Sequence, residues 1–324
     1  SYHGAVSIGI TLFCGDAIGV DELLKQADLA MYRAKASGRN TLCFFSPEMQ
    51  AEVTRKAQIE ARLRHAIKDG QFCLHYQPQV GSDGAIFGVE ALIRWLDPER
   101  GMIRPDEFIP VAEECGMIDQ LGNWVLDTAC RQLAQWSGNW KTAHLTMAVN
   151  VSAGQFRCAD FVDQVRSAIR RHGTDPARLK LELTESMLLE DIEDIIAKMN
   201  VLKDAGVGFS LDDFGTGYSS LSYLKRLPLD QLKIDRSFVR DVLVDPNDAS
   251  IARTIVALAK ALGLDVIAEG VETEGQRDFL AAEGCRAHQG YLFSPPLPIE
   301  QLEAYLEDSV RHSARLIPLS VVNK

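Results

Sequence analysis

At 324 residues, with 46% hydrophobic, 24% charged and 7% aromatic residues, the chain has the balance of an ordinary folded protein; collagen-like, mucin-like and wholly disordered classes are excluded. Its length suits two domains, or one α/β barrel of roughly 250 residues with a short appendage. A formal net charge of −11, without a basic block long enough to track a phosphate backbone, argues against duplex nucleic acid as a partner.

No run reaches the ~18 to 20 apolar residues of a membrane helix, and the opening SYHGAVSIGI lacks a basic leader or cleavage signature. The chain is therefore expected to be cytoplasmic, without membrane contact of its own, although a parent protein could carry sensor or membrane segments upstream. Seven cysteines (Cys14, Cys43, Cys73, Cys115, Cys130, Cys158 and Cys285) form no CxxC pair and read as reduced, space-filling residues. The seven histidines are dispersed, without metal-ligand spacing.

In chain order, AVSIGITLF (5–13) reads as a strand, VDELLKQADLAMYRAKASG (20–38) as a helix ending at Gly38, and TLCFF (41–45) as a second strand. Three such elements cannot bury a core alone. A charged helical connector is expected from Pro47 to Asp69. From Gln71 onward come eight extended runs: FCLHYQP, IFGVEALIRW, HLTMAVNVS, LKLELTE, VGFSLDD, QLKID, DVIAEGVE and CRAHQGY. The first two, joined by a turn at GSDG, are expected to pair antiparallel, and the rest mostly alternate with helical segments. The pattern predicts an α/β fold, a (β/α)8 TIM-like barrel with a short N-terminal strand-helix-strand appendage. The expected divisions are 1–48 for the appendage, 49–70 for a connecting helix, 71–310 for the barrel and 311–324 for a C-terminal tail.

A barrel should carry its reactive groups at the C-terminal ends of its strands. Polar residues stand late in the apolar runs at Glu90, Asn150, Glu182, Asp212 with Asp213, Lys233, Glu269 and Gln289. Any one of these alone is better explained as a structural salt bridge or a helix cap, but seven successive segments aiming polar groups at one rim point to a site. Five carboxylates against one ammonium leave a formal charge of −4, which two divalent cations would balance. Oxygen donors without histidine or cysteine favour Mg²⁺ or Mn²⁺ over Zn²⁺, and paired ions suit attack of water on a phosphodiester.

EALIRW (90–95), NVS (150–152), ELTE (182–185), DDFGTGYSSL (212–221), LKID (232–235), AEGVE (268–272) and QGYLFSPP (289–296) together resemble an EAL-domain cyclic di-GMP phosphodiesterase over about residues 56–310. The resemblance implies a barrel, dependence on Mg²⁺ or Mn²⁺, and hydrolysis of cyclic di-GMP to linear pGpG, which lowers a second messenger in bacterial signalling. It assigns Glu90, Asn150, Glu182 and Asp212 to a first metal and Asp212 with Asp213 to a second. Lys233 would hold and polarise the attacking water, and Glu269 is either a second-metal ligand or the general base, with Glu90, Lys233 and Glu269 as the catalytic set. Glu272 would support the ligands from behind, and Gln289 would assist the water network. Gln77, Leu92, Arg94, Asn150, Asp213 and Gln289 would contact substrate. Gly215 and Gly217 belong to a mobile loop rather than a phosphate cradle, because no Lys-Ser or Lys-Thr follows them. The resemblance puts this loop between metal site and dimer interface, anchored by Glu185, with a homodimer formed through the loop and helix after Asp213 (its outer part around Tyr218 to Tyr223).

SIGI (7–10) and ADLAMYRAKASGRN (27–40) resemble the last part of a GGDEF domain, whose signature loop the chain lacks. The resemblance implies a C-terminal GGDEF fragment without cyclase activity, and Phe13, Phe44 and Phe45 are expected to expose apolar surface. The alternative reading of the whole is a non-catalytic cyclic di-GMP receptor, from which the complete ligand set distinguishes it.

Overall fold

The computed structural model describes residues 6–15, 18–189, 191–215 and 221–315. Tyr218, Gly217 and the adjoining serines of the glycine-containing loop, and the expected tail beyond 315, lie outside the described residues. The chain divides into two compact units, one formed by Ser1–Asp69 with Glu107–Cys115, the other by Gly70–Asp106 with Gly116–Lys324.

In the first unit, β1 (Ile8–Ile10) and β2 (Leu42–Phe44) form a parallel pair in which Ile8 faces Leu42 and Ile10 faces Phe44. The helix Val20–Ala36 packs against them. Gly9 permits this approach, because a Cβ there would lie 2.0 Å from the Ala27 carbonyl oxygen and 2.3 Å from the Met31 nitrogen. The strands are shorter than the β-branched runs predict, since each has only a three-residue partner to pair with. The helix Pro47–Asp69 has the expected bounds, and its buried residues Ile59, Leu63 and Ala66 fall on one stripe. Leu12, Phe13 and Phe44 are exposed, as expected for the two phenylalanines, whereas Phe45 is half-buried.

The second unit is a closed α/β barrel. Its strands are β3 (Phe72–Gly81), β4 (Ile86–Asp97), β5 (Gly101–Ile103), β6 (Thr146–Asn150), β7 (Leu179–Thr184), β8 (Gly208–Phe214), β9 (Gln231–Ile234), β10 (Asp265–Ala268) and β11 (Ala287–His288). They follow the order β3-β11-β10-β9-β8-β7-β6-β4-β5, and pairing of β3 with β4 closes the ring, leaving β5 as a short addition to β4. β3 runs antiparallel to both of its neighbours, while the other ring strands are parallel. The turn at GSDG gives the expected β3–β4 hairpin, with Gly84 at φ +78°.

Alternation sorts the strands into two faces. Leu179, Leu181 and Leu183 of β7 enter the apolar core with Leu232 and Ile234 of β9, while Lys180, Glu182, Gln231 and Lys233 take the opposite positions. Helices Ile118–Ser137, Phe161–His172, Ile192–Asp204 and Pro246–Leu262 contribute buried apolar residues to that core.

Three features differ from the sequence pattern. β5 was not anticipated, being three residues long with two exposed. The last helix, Ile299–Arg315, takes in residues 311–315 of the expected tail. β10 and β11 stop early, at Ala268 and His288, because the backbone beyond them turns aside and bonds outside the sheet. Val271 N–H donates to the Gln289 carbonyl at 3.0 Å, and Leu292 N–H donates to the Val271 carbonyl at 3.0 Å.

Gly290 makes that crossing possible. A Cβ at Gly290 would lie 2.2 Å from the Val271 carbonyl oxygen and 2.3 Å from its nitrogen, both rigid backbone atoms. Gly290→Ala is expected to destabilise the barrel by about 3 kcal/mol or more, read by urea unfolding; a midpoint equal to wild type would contradict the packing described.

Candidate active site

The parallel register sets the polar residues level with one another. Asn150 at the end of β6 pairs with Glu182, and Thr184 pairs with Asp212. Glu90 lies mid-strand rather than at the end of β4, because β4 continues past the ring to meet β5. Its pairing with β6 covers only Gly88 to Ala91, so within the ring proper Glu90 is late. Lys233 is third of four residues in β9, and Glu269 and Gln289 directly follow β10 and β11.

Lys233 is the centre of the cluster. Its side chain is 1% exposed, and its Nζ lies 2.6 Å from Glu182 Oε2, 3.5 Å from Glu90 Oε2, 3.5 Å from Asp212 Oδ1, and in contact with Glu269 Oε1. Glu182 is fully buried, whereas Asp212 and Glu269 are 14% and 18% exposed, so the cluster opens towards solvent on their side. Burial alone would strip the ammonium of its proton, but Glu182, Glu269, Glu90 and Asp212 together hold its pKa well above the ordinary lysine value.

The carboxylates respond differently. Burial pushes Glu182 well above the usual carboxylate range against the pull of Lys233, with Glu90, Asp212 and Glu269 adding repulsion. Burial likewise raises Glu269, to about 8; Lys233 opposes the shift, and Asp212 and Glu90 reinforce it. Glu90 moves the other way. Burial disfavours its charge, but Lys233 and the amides of Gln289 and Asn150 outweigh that cost. Asn150 Nδ2 donates to Glu90 Oε1 at 2.6 Å and Gln289 Nε2 donates to Glu90 Oε2 at 2.5 Å.

Gln289 thus sits on a carboxylate rather than standing free at the mouth. Its Nε2 also donates to Gln77 Oε1 at 3.0 Å, Gln77 Nε2 donates to the Ser294 carbonyl at 3.1 Å, and Gln79 Nε2 donates to Gln289 Oε1 at 3.1 Å. Gln79 was passed over in the sequence; its signal is its spacing, two residues from Gln77 and on the same face of β3. Leu92 and Arg94 share the face of Glu90 on β4, further along the strand. Arg94 is half-buried, with Nη1 donating to the Ile93 carbonyl at 2.8 Å, and burial lowers its pKa.

Asp212 and Asp213 stand late in β8, just before Phe214. Asp213 N–H donates to Asp212 Oδ1 at 2.9 Å, and Asp213 takes φ +54°, a left-handed backbone uncommon outside glycine. Burial, then Asp212 and Asp235, push the Asp213 carboxyl up to about 6. Asp235 is a second residue that motif reading left without a role, although it stands two positions after Lys233. Glu185, buried directly after β7, accepts the Gly215 N–H at 2.9 Å, so it does grip the start of the glycine loop. Glu272 is exposed, and its backbone N–H, not its carboxylate, is held, by Gln276 Oε1 at 2.8 Å.

Among the described residues no three acidic, imidazole or thiol groups are already spread as a metal cage; the carboxylates close on Lys233 instead. The donor set nevertheless fits a hard divalent cation. Glu90, Asn150, Glu182 and Asp212 present oxygens from adjacent strands, and buried Glu182 Oε1 has no hydrogen-bond partner.

Residues 60–296 match the EAL domain family. The bifunctional diguanylate cyclase/cyclic di-GMP phosphodiesterase MucR of Pseudomonas aeruginosa is 48% identical over 301 residues, 93% of this chain and 44% of the relative. The cyclic di-GMP phosphodiesterase NbdA of the same organism is 46% identical over 303 residues, 93% of this chain and 38% of the relative. A solved PaMucR phosphodiesterase in complex with c-di-GMP superposes with a TM-score of 0.73 at 49% identity, covering 76% of this chain and 99% of the other. The chain spans less than half the length of MucR and NbdA.

The raised Glu269 fixes a pH dependence of stability in protein stripped with EDTA. Unfolded, the carboxyl sheds its proton near its ordinary 4.5; folded, it keeps it to about 8. Rising pH between these values therefore favours unfolding. Replacing Glu269 by Gln removes that term, so the stability of Glu269→Gln relative to wild type is expected to increase from pH 4.5 to about 8 and then level off. Thermal melting across that range reads it, and a pH-independent difference would contradict the burial of this group.

Proposed function

The chain belongs to the EAL domain family, and from this premise we propose that it is a divalent-cation-dependent phosphodiesterase that hydrolyses cyclic di-GMP to linear pGpG. The observation that carries the reading is the convergence of Glu90, Glu182, Asp212 and Glu269 on one buried ammonium, with Asn150 and Gln289 on the carboxylate of Glu90.

Glu90, Asn150, Glu182 and Asp212 would hold a first Mg²⁺ or Mn²⁺, and Asp212 with Asp213 a second. Such ions supply Lewis-acid charge at phosphodiester oxygens and make an attacking water more acidic. Asp213, with Asp212 and Asp235 beside it, would serve that second position. Lys233, held cationic by its neighbours, orients the water and opposes the negative charge that grows at phosphorus. Glu269, in contact with the Lys233 ammonium at the solvent side of the cluster, takes the proton of that water as general base. A new P–O bond forms, the P–O bond to the leaving ribose oxygen breaks, and that oxygen takes up a proton. Gln77, Leu92, Arg94, Asn150 and Asp213 form the substrate side, with Arg94 supplying a charge-assisted donor to a phosphate, while Gln289 acts on the Glu90 carboxylate instead.

We also read β1, the helix Val20–Ala36 and β2 as the closing part of a GGDEF-like domain, on SIGI and ADLAMYRAKASGRN. Association into a homodimer through the segment after Asp213 is the corresponding reading for the loop that Glu185 anchors. Among the described residues no helix is long and apolar enough to cross a membrane.

Chromatography of cyclic di-GMP incubated with the protein tests the reading. pGpG should form with Mg²⁺ or Mn²⁺ and stop with EDTA, and Ca²⁺ should support far less turnover because its loose coordination spoils alignment. Glu90→Gln should lose about 10² or more in rate, and Lys233→Met should lower kcat with substrate affinity largely kept. Wild-type turnover in Glu90→Gln, or a collapse of binding with kcat intact in Lys233→Met, would overturn these roles.

A further inference from the structure

Gln79 is buried in β3, 1% exposed, and no step of the reaction uses it. Its place becomes intelligible through the carboxamide of Gln289, which has two ends of nearly equal size. Both N–H bonds of Gln289 Nε2 are spent, one on Glu90 Oε2 at 2.5 Å and one on Gln77 Oε1 at 3.0 Å. Turned over, the amide would press its oxygen against two oxygens. Gln79 Nε2 donates to the oxygen end at 3.1 Å and so distinguishes the two orientations.

The surroundings fix Gln79 in turn. Gly88 faces it across the β3–β4 pair, where a register shift follows Gln79. A Cβ at Gly88 would lie 3.1 Å from Gln79 Oε1 and 2.4 Å from Thr146 Oγ1. The missing side chain therefore leaves room for the glutamine inside the ring. Gln77 is itself oriented by its bond to the Ser294 carbonyl at 3.1 Å, so it offers its oxygen, not its nitrogen, to Gln289.

We propose that Gln79 is a positioning residue that acts through Gln289 to hold the Glu90 carboxylate in its working orientation. As a statement about catalysis this rests on the phosphodiesterase reading; as a statement about the amide of Gln289 it does not.

The experiment compares wild type, Gln79→Met, Gln79→Glu, Gln289→Met and the double variant Gln79→Met/Gln289→Met, all in the full chain. With cyclic di-GMP and Mg²⁺, Gln79→Met is expected to lower kcat about tenfold, the usual scale for a supporting contact behind a ligand, with KM changed by less than about twofold. Gln79→Glu should lose more, because a carboxylate offers Gln289 only acceptors and favours the inverted amide. In the Gln289→Met background the Gln79→Met change should add no further loss; independent, multiplying losses would overturn the proposal.

The second readout needs neither substrate nor cation: side-chain amide spectra of protein labelled with ¹⁵N-glutamine. The Gln289 pair is identified by its loss in Gln289→Met, and it should shift and exchange faster with water in Gln79→Met while circular dichroism stays native. If Gln79→Met does not fold, Gln79→Glu carries the same comparison. An unmoved Gln289 pair overturns the proposal whatever the activities are. If wild type makes no pGpG, the phosphodiesterase reading falls and the amide spectra alone decide this one.

Discussion

One buried ammonium conditions the rest of this site. Lys233 brings a positive charge into the barrel with essentially no exposure, and four carboxylates reach it from β4, β7, β8 and the end of β10. Isolated, such a lysine would be neutral, and the carboxylates would repel one another apart. Together they form a compact charge cluster in which the ammonium stays ionised and burial drives protons onto Glu182 and Glu269. A buried ion cluster is poor evidence for added stability, since well-packed apolar residues often do better. Such a cluster at the strand ends of a barrel suits chemistry on a charged group.

The barrel supplies the precision. Parallel register brings Asn150 beside Glu182 and sets Asp212 one pair further along, so adjacent strands deliver oxygens within reach of one another. The single antiparallel ring strand, β3, contributes no charge; it supplies glutamines. Through Gln289 that strand braces Glu90 from the side opposite Asn150, and Gly290 lets the chain cross Val271 closely enough to place Gln289 there. At the end of β8, Glu185 holds the Gly215 N–H and Asp213 takes a left-handed turn.

Much of this was legible in the sequence. A lysine or glutamate in a run such as LKLELTE or QLKID contradicts the apolar pattern around it, and that contradiction marked the inward face correctly. The helix Pro47–Asp69 and the β3–β4 hairpin followed from local periodicity and turn chemistry. The brevity of β10 and β11 was not legible, because it arises from backbone crossing at Val271 and Gly290, a contact between segments far apart in the chain. Gln79 was missed because the expected run FCLHYQP stops at Pro78, whereas β3 continues through Gln79 to Gly81. Glu272 illustrates the reverse, a motif acid whose carboxylate faces solvent while its backbone is tied to Gln276.

In the proposed phosphodiesterase, divalent cations would displace the protons that burial places on Glu182 and Glu269. Calorimetric titration of Mn²⁺ into the protein at pH 7, repeated in buffers of different ionisation enthalpy, measures the protons exchanged on binding. A net release of protons is expected, diminished in Glu269→Gln. Saturable Mn²⁺ binding with no proton release in wild type would contradict it.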